Sequence, residues 1–125
     1  MSACVIWIDS QHAKLFKISS NGIMSHELKK HSHKHSNSHQ DSHKHQEEEH
    51  FFHEVAQAAG KTEELLVFGP VVTKNHFKNH IEKHNHSDLA KILVGVEPLD
   101  HLSDNQILEA SRKFFKKFNH FNVSI

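Results

Sequence analysis

Histidine is the residue whose spacing first suggests chemistry. His31-x-His33-x-His35 is followed by His39 and by His43-x-His45, with His50 and His53 a little further on. Alternate residues of an extended segment project to one side, so each His-x-His pair presents two imidazoles to a single ion. Zn, Ni and Cu all accept such ligands. The tract has no cysteine and no closely spaced carboxylate pair to complete a rigid shell, so its selectivity among these metals is expected to be poor. The same composition also fits a solvated linker that happens to be rich in histidine.

A second set, His76, His80 and His84, falls at i, i+4 and i+8 of an expected helix, with His86 just beyond. That spacing places the rings on one stripe beside Phe77 and Ile81, near the edge of the buried face. It suits a two-histidine metal clip, although exposed helix histidines alternating with Lys78 and Lys83 are the commoner use of such a pattern. His12 and His101 stand in expected turns near Asp9 and Asp100, where they either order the strand ends or touch a ligand. A two-ion nuclease would need several carboxylates converging on one place. Asp9 stands at the end of the first strand, where such an enzyme would place its first carboxylate, but Glu97 and Asp100 lie scattered beyond, so a nuclease is the third reading after the two given below. No Gly-rich phosphate loop, Gly-x-Ser-x-Gly turn or Cys/His nucleophile arrangement is present.

Positive charge falls in two groups. Lys29, Lys30, Lys34 and Lys44 stud the histidine tract, and Arg112, Lys113, Lys116 and Lys117 lie on the solvent arc of a C-terminal helix, opposite its phenylalanines. Phosphate contacts need mobile or surface-presented cations, so both groups are candidate RNA contacts. For the second, a solvated helix face is the ordinary alternative.

The elements that must position these residues follow from the patterning. Cys4 to Asp9, Ala13 to Ile18 and Ile23 to Leu28 are β-type runs joined by short polar turns, the second of them carrying an Asn-Gly hairpin signal. Residues 29–46 then lose apolar character and periodicity and are expected to form one flexible His-rich loop. Glu47, Glu48 and Glu49 open a helix that buries Phe51, Phe52, Val55, Ala56 and Ala59, and Gly60 closes it. Glu64 to Phe68 is a compact apolar strand ending in Gly69-Pro70. Thr73 is expected to cap the next helix. Lys91 to Val96 repeats the buried-strand pattern, and Ser103 with Gln106 forms a capping box for a final helix through Phe118. The order βββ-loop-αβαβα implies an α/β fold with a ribonuclease H-like mixed sheet and helices packed on its faces. Its core is expected around Trp7, Phe16, Phe52, Val55, Leu66, Phe68, Phe77, Ile92, Val94, Leu108, Phe114 and Phe115.

Several stretches also carry a family resemblance. Val5-Ile6-Trp7-Ile8-Asp9 with His12-Ala13-Lys14-Leu15-Phe16, then Val67-Phe68-Gly69-Pro70 with Lys74 and Phe77, then Val94 to Asp104 (VGVEPLDHLSD) resemble the small bacterial "translational machinery protein" family. Those proteins are similar to the middle domain of eukaryotic and archaeal peptide-chain release factors and of Pelota. The resemblance runs over nearly the whole chain apart from the tract. It marks Asp9, His12, Gly69, Pro70, Lys74, Glu97, Asp100 and His101 as motif residues, and adds Lys74 to the candidate RNA contacts. In release factors that middle domain carries a Gly-Gly-Gln loop which positions water on the peptidyl-tRNA ester. Here residues 29–46 contain no glycine, and Gln40 and Gln46 have no glycine beside them, so that hydrolysis is not carried over. The resemblance implies instead a non-enzymatic, translation-associated binding module whose partner is the ribosome or a tRNA. The alternative is a metal-binding or metal-buffering protein using the same tract.

Length and composition bound all of this. The 125 residues suffice for one hydrophobic core, so a single domain over 1–125 is expected. Fifteen Lys+Arg balance fifteen Asp+Glu, so formal net charge is zero, while the 16 histidines make net charge sensitive to acid. One cysteine, Cys4, rules out an internal disulfide and a Cys-based zinc cluster. The first residues lack the pattern of a signal peptide, and no apolar run approaches the ~18 residues of a membrane span, so a soluble cytoplasmic protein with no membrane partner is expected. No cofactor is required, and Zn or Ni held by the tract is the only one suggested.

Overall fold

In the computed structural model, residues 2–30, 40–83, 87–100 and 103–122 are described. Strands β1 (Ala3–Ile8), β2 (His12–Ser19) and β3 (Gly22–Lys29) form an antiparallel meander. Helix α1 (Gln40–Ala59), β4 (Glu64–Gly69), α2 (Val71–Lys83), the short α3 (Ser87–Lys91), β5 (Leu93–Pro98) and α4 (Asp104–Asn122) follow. The sheet order is β3-β2-β1-β4-β5, with β1, β4 and β5 parallel. This is the mixed α/β sheet expected from the sequence, its antiparallel edge formed by the meander and its parallel part fed by crossover helices.

The sheet divides the interior into two cores because successive strand residues face opposite sides. Cys4, Ile6, Ile8, Leu15, Leu65 and Val67 pack against Phe51, Phe52, Val55, Phe77, Ile81 and Leu89 of α1, α2 and α3. Val5, Trp7, Phe16, Leu66 and Phe68 pack against Ile107 of α4, with Leu108, Phe114 and Phe115 partly buried beside it. Ile92 and Val94, expected in the core, are also only partly buried, Val94 because β5 is an edge strand and Ile92 because it lies in the turn before it. A methyl on Gly95 would stand 2.5 Å from Phe114 Cζ, so this glycine lets the α4 ring lie directly on the sheet.

Four local expectations are corrected. The loop expected to run to residue 46 ends sooner: α1 begins at Gln40, seven residues before the Glu run, because Gln, Lys and His tolerate a helix whose stability comes from the apolar turns beyond it. The second hairpin turns on Ser20–Asn21, with Gly22 already the first residue of β3 at φ 128°. Thr73 is buried inside α2 rather than capping it, since Pro70 sets the helix start and Lys74 N–H already donates to Pro70 O at 3.1 Å. The strand expected from Lys91 begins two residues later, at Leu93: buried Leu89 holds the chain in a helical turn closed by Ile92 N–H to Leu89 O at 3.2 Å. The capping box forms as expected, with Ser103 N–H donating to Gln106 Oε1 at 3.1 Å and Gln106 N–H to Ser103 Oγ at 3.3 Å. Among the described residues, no helix is long and apolar enough to cross a membrane.

Candidate nucleic-acid interface

In an open α/β sheet, ligands collect outside the carboxyl ends of the parallel strands, where the strand order reverses. Here that place lies beyond the adjacent ends of β1 and β4, at Ile8-Asp9 and Gly69-Pro70. The ends are drawn close. A Cβ on Gly69 would collide with the Ile8 carbonyl oxygen, and the glycine holds φ 151°, a conformation that L side chains rarely adopt. Leu99, just after β5, donates its N–H to Gly69 O at 3.2 Å and accepts the Trp7 indole N–H at 3.0 Å. Trp7 therefore serves two purposes, its ring filling the α4-side core and its polar edge fastening the loop that follows β5.

The meander ends on the same edge. Asp9 Oδ1 accepts the backbone N–H of Gln11 at 2.8 Å and of His12 at 2.6 Å, while Asp9 N–H donates to His12 O at 2.9 Å. His12 Nδ1 lies 3.5 Å from the same Asp9 oxygen. This is an Asp-centred turn, with Asp9 Oδ1 held by two backbone N–H groups. Register pairs His12 with Lys29, and Lys30 N–H donates to Gln11 O at 2.8 Å, so both lysines stand beside the turn. Lys29 is exposed and Lys30 half-buried.

The other expected site residues are dispersed. Glu97 and Asp100 are exposed at the end of β5 and in the following loop. Lys74 is 6 % exposed, with its Nζ 3.3 Å from Asn75 Oδ1, and so belongs to the interior of this edge rather than its surface. Lys113, Lys116 and Lys117 are exposed on α4. Asp104, the first residue of α4, is held to the carboxyl edge by Lys14 at 2.8 Å. At 1.5 Å per residue the α4 lysines lie about 14–20 Å further along the helix axis, on a surface separate from Lys29 and Lys30. His31, His33, Lys34, His35, His39, His84, His86 and His101 lie outside the described residues. Lys44, His43 and His45 fall within α1. The extended geometry expected for the His43-x-His45 pair is thereby corrected, since residues two apart do not share a helix face. Among the described residues, no three histidine, cysteine or carboxylate side chains are gathered around a metal position as they lie.

The sequence signalled the ends of β1 and β4 through Asp9 and Gly69-Pro70. It gave no warning that Trp7 would fasten the loop after β5, beyond the general need of a buried indole N–H for an acceptor.

The chain matches no protein-family model and no curated protein. Solved structures do match it. Pelota of Archaeoglobus fulgidus has 18% identity and a TM-score of 0.62 over 90% of this chain. Pelota of Thermoplasma acidophilum has 13% identity and a TM-score of 0.60 over 87%. An archaeal translation termination factor has 12% identity and a TM-score of 0.57 over 94%. The matches take in 31%, 31% and 40% of those chains, so this chain spans about a third of the length of the structures it matches. At these identities the likeness is one of fold, and the fold is similar to that of a Pelota and release-factor domain, as expected for their middle domain.

Proposed function

We propose that the chain is a non-enzymatic, translation-associated binding module that contacts ribosomal RNA or tRNA from the carboxyl edge of its sheet. One observation carries the reading. On a fold shared with Pelota and a translation termination factor, Lys29 and Lys30 stand at the strand-end edge from which the His/Lys tract departs. Cations presented at the opening of a ligand-collecting edge suit phosphate contacts. One further fact disfavours release-factor hydrolysis: residues 29–46 lack the Gly-Gly-Gln tripeptide.

Sedimentation of the purified chain with ribosomes, alongside titration against ribosomal RNA and tRNA, tests the reading. The native chain should pellet with ribosomes, and K29Q/K30Q should weaken binding severalfold while lowering its salt dependence. Failure of the native chain to bind either RNA or ribosomes would overturn the proposal and leave metal binding by the tract as the better account.

A further inference from the structure

Away from the carboxyl edge, α1 and α2 enclose a groove of about 190 Å³ lined by Glu48, Glu49 and Phe52 from one helix and by His76, His80 and Lys83 from the other. We propose that this groove is a site for a zinc-like transition-metal dication, held by His76 Nδ1, the Glu48 carboxylate and His80.

The spacing of Glu48 and His76 is the first ground. Their Oε1 and Nδ1 atoms are 3.4 Å apart. Charge-assisted N–H···O hydrogen bonds close to about 2.7–2.9 Å, so this pair is wide for a direct bond. Two donors at about 2.0–2.2 Å from one tetrahedral ion stand about 3.4 Å from each other, which is the separation seen. The second ground is helical register. His80 follows His76 by four residues, the spacing with which paired histidines on one helix face bind zinc. His80 lines the same groove, is only 7 % exposed with its Nε2 buried, and packs its ring edge-on against Phe52 at 5.6 Å.

The chemistry of the set is consistent with the ion. Two imidazoles and a carboxylate suit zinc, with water in the fourth position, and no cysteine is needed. The set is incomplete as the side chains lie, and His80 completes it by turning from Phe52 into the groove. An ion favours that rotamer to the extent that it binds it more tightly. Lys83 is the cation that the ion must displace or repel from the groove mouth.

The test must exclude the histidine tract, so it uses the full chain with His31, His33, His35, His39, His43 and His45 replaced by Gln. Cobalt(II) serves as a coloured zinc probe, followed by visible absorption and by its effect on the thermal midpoint. One equivalent should bind with the absorption of a low-coordinate ion and raise the midpoint. H76Q and E48Q, both at partly exposed positions, should each weaken binding at least tenfold and abolish the thermal shift, with far-ultraviolet circular dichroism unchanged. H50Q removes an exposed α1 histidine paired with Glu54 and should change nothing. Absence of a stoichiometric ion, or affinity indifferent to H76Q and E48Q, would overturn the proposal. The outcome is independent of whether the chain binds RNA.

Discussion

Gly69 meets the carbonyl oxygen of Ile8 so closely that no side chain fits between β4 and the end of β1. A methyl group at position 69 must push the two strand ends apart and also hold φ 151°. G69A should therefore destabilise the fold by about 2 kcal/mol or more. Urea denaturation would show this as a lower midpoint at unchanged slope, and an unchanged midpoint would refute the close approach.

The indole of Trp7 gives a gentler perturbation of the same edge. W7F keeps most of the ring volume and removes the hydrogen bond to Leu99 O. The expected loss is about 1–2 kcal/mol, with faster hydrogen exchange in residues 99–104 than in β1. Equal acceleration in both would mean that the loss is one of packing alone.

Ser103 caps α4 through bonds in both directions with Gln106. S103A should cost about 1 kcal/mol and S103G only a few tenths. Unchanged stability in S103A would show that the hydroxyl is not the capping group.

Burial in the sheet pushes the Cys4 thiol up to about 12, against a smaller opposite pull from Lys17. The folded chain keeps this proton where the unfolded chain gives it up, so stability falls as pH rises from about 9 towards 12. Below about 9 the thiol contributes no pH dependence. C4A should flatten the alkaline decline by an amount on the order of a few kcal/mol at its fullest, and native Cys4 should resist alkylation at pH ~8. Rapid labelling of the folded chain would contradict both.

For the proposed RNA contact, imidazoles of the tract with the ordinary histidine pKa of about 6.5 would add positive charge between pH ~7.5 and ~5.5. Affinity should rise on acidification and become more salt-sensitive, and bound Zn or Ni should oppose this because a metal takes the neutral ring. A chain with His31, His33, His35, His43 and His45 changed to Gln should lose most of the response. An identical response would remove the tract from the contact.

Much of the architecture was legible because it rests on period and punctuation. Short β-type runs between polar turns marked β1 and β2, the compact runs around Leu66 and Val94 marked the parallel strands, and Ser103 with Gln106 marked the start of α4. The exceptions have local physical causes. Polar residues 40–46 carry no apolar signal, yet helix propagates into them from the packed turns around Phe51 and Phe52. Leu89 hides a helical turn ahead of an apolar run that would otherwise be all strand. At the edge, Asp9 and Gly69-Pro70 announced themselves by type and position. The proximity of Glu48 and His76 did not, because it joins two helices whose relative placement is set by Phe52 meeting Phe77 edge-on at 5.5 Å.

The sheet that separates the two cores also separates their fates under mutation. Leu66 and Val67 are chain neighbours, yet they support opposite sides of the molecule. Residues without shared partners have nearly additive effects on stability, so the α4 side can drift in sequence with little echo in the α1–α2 groove. A protein partitioned in this way can diversify a basic helix on one side while the other side keeps its histidine pair in place.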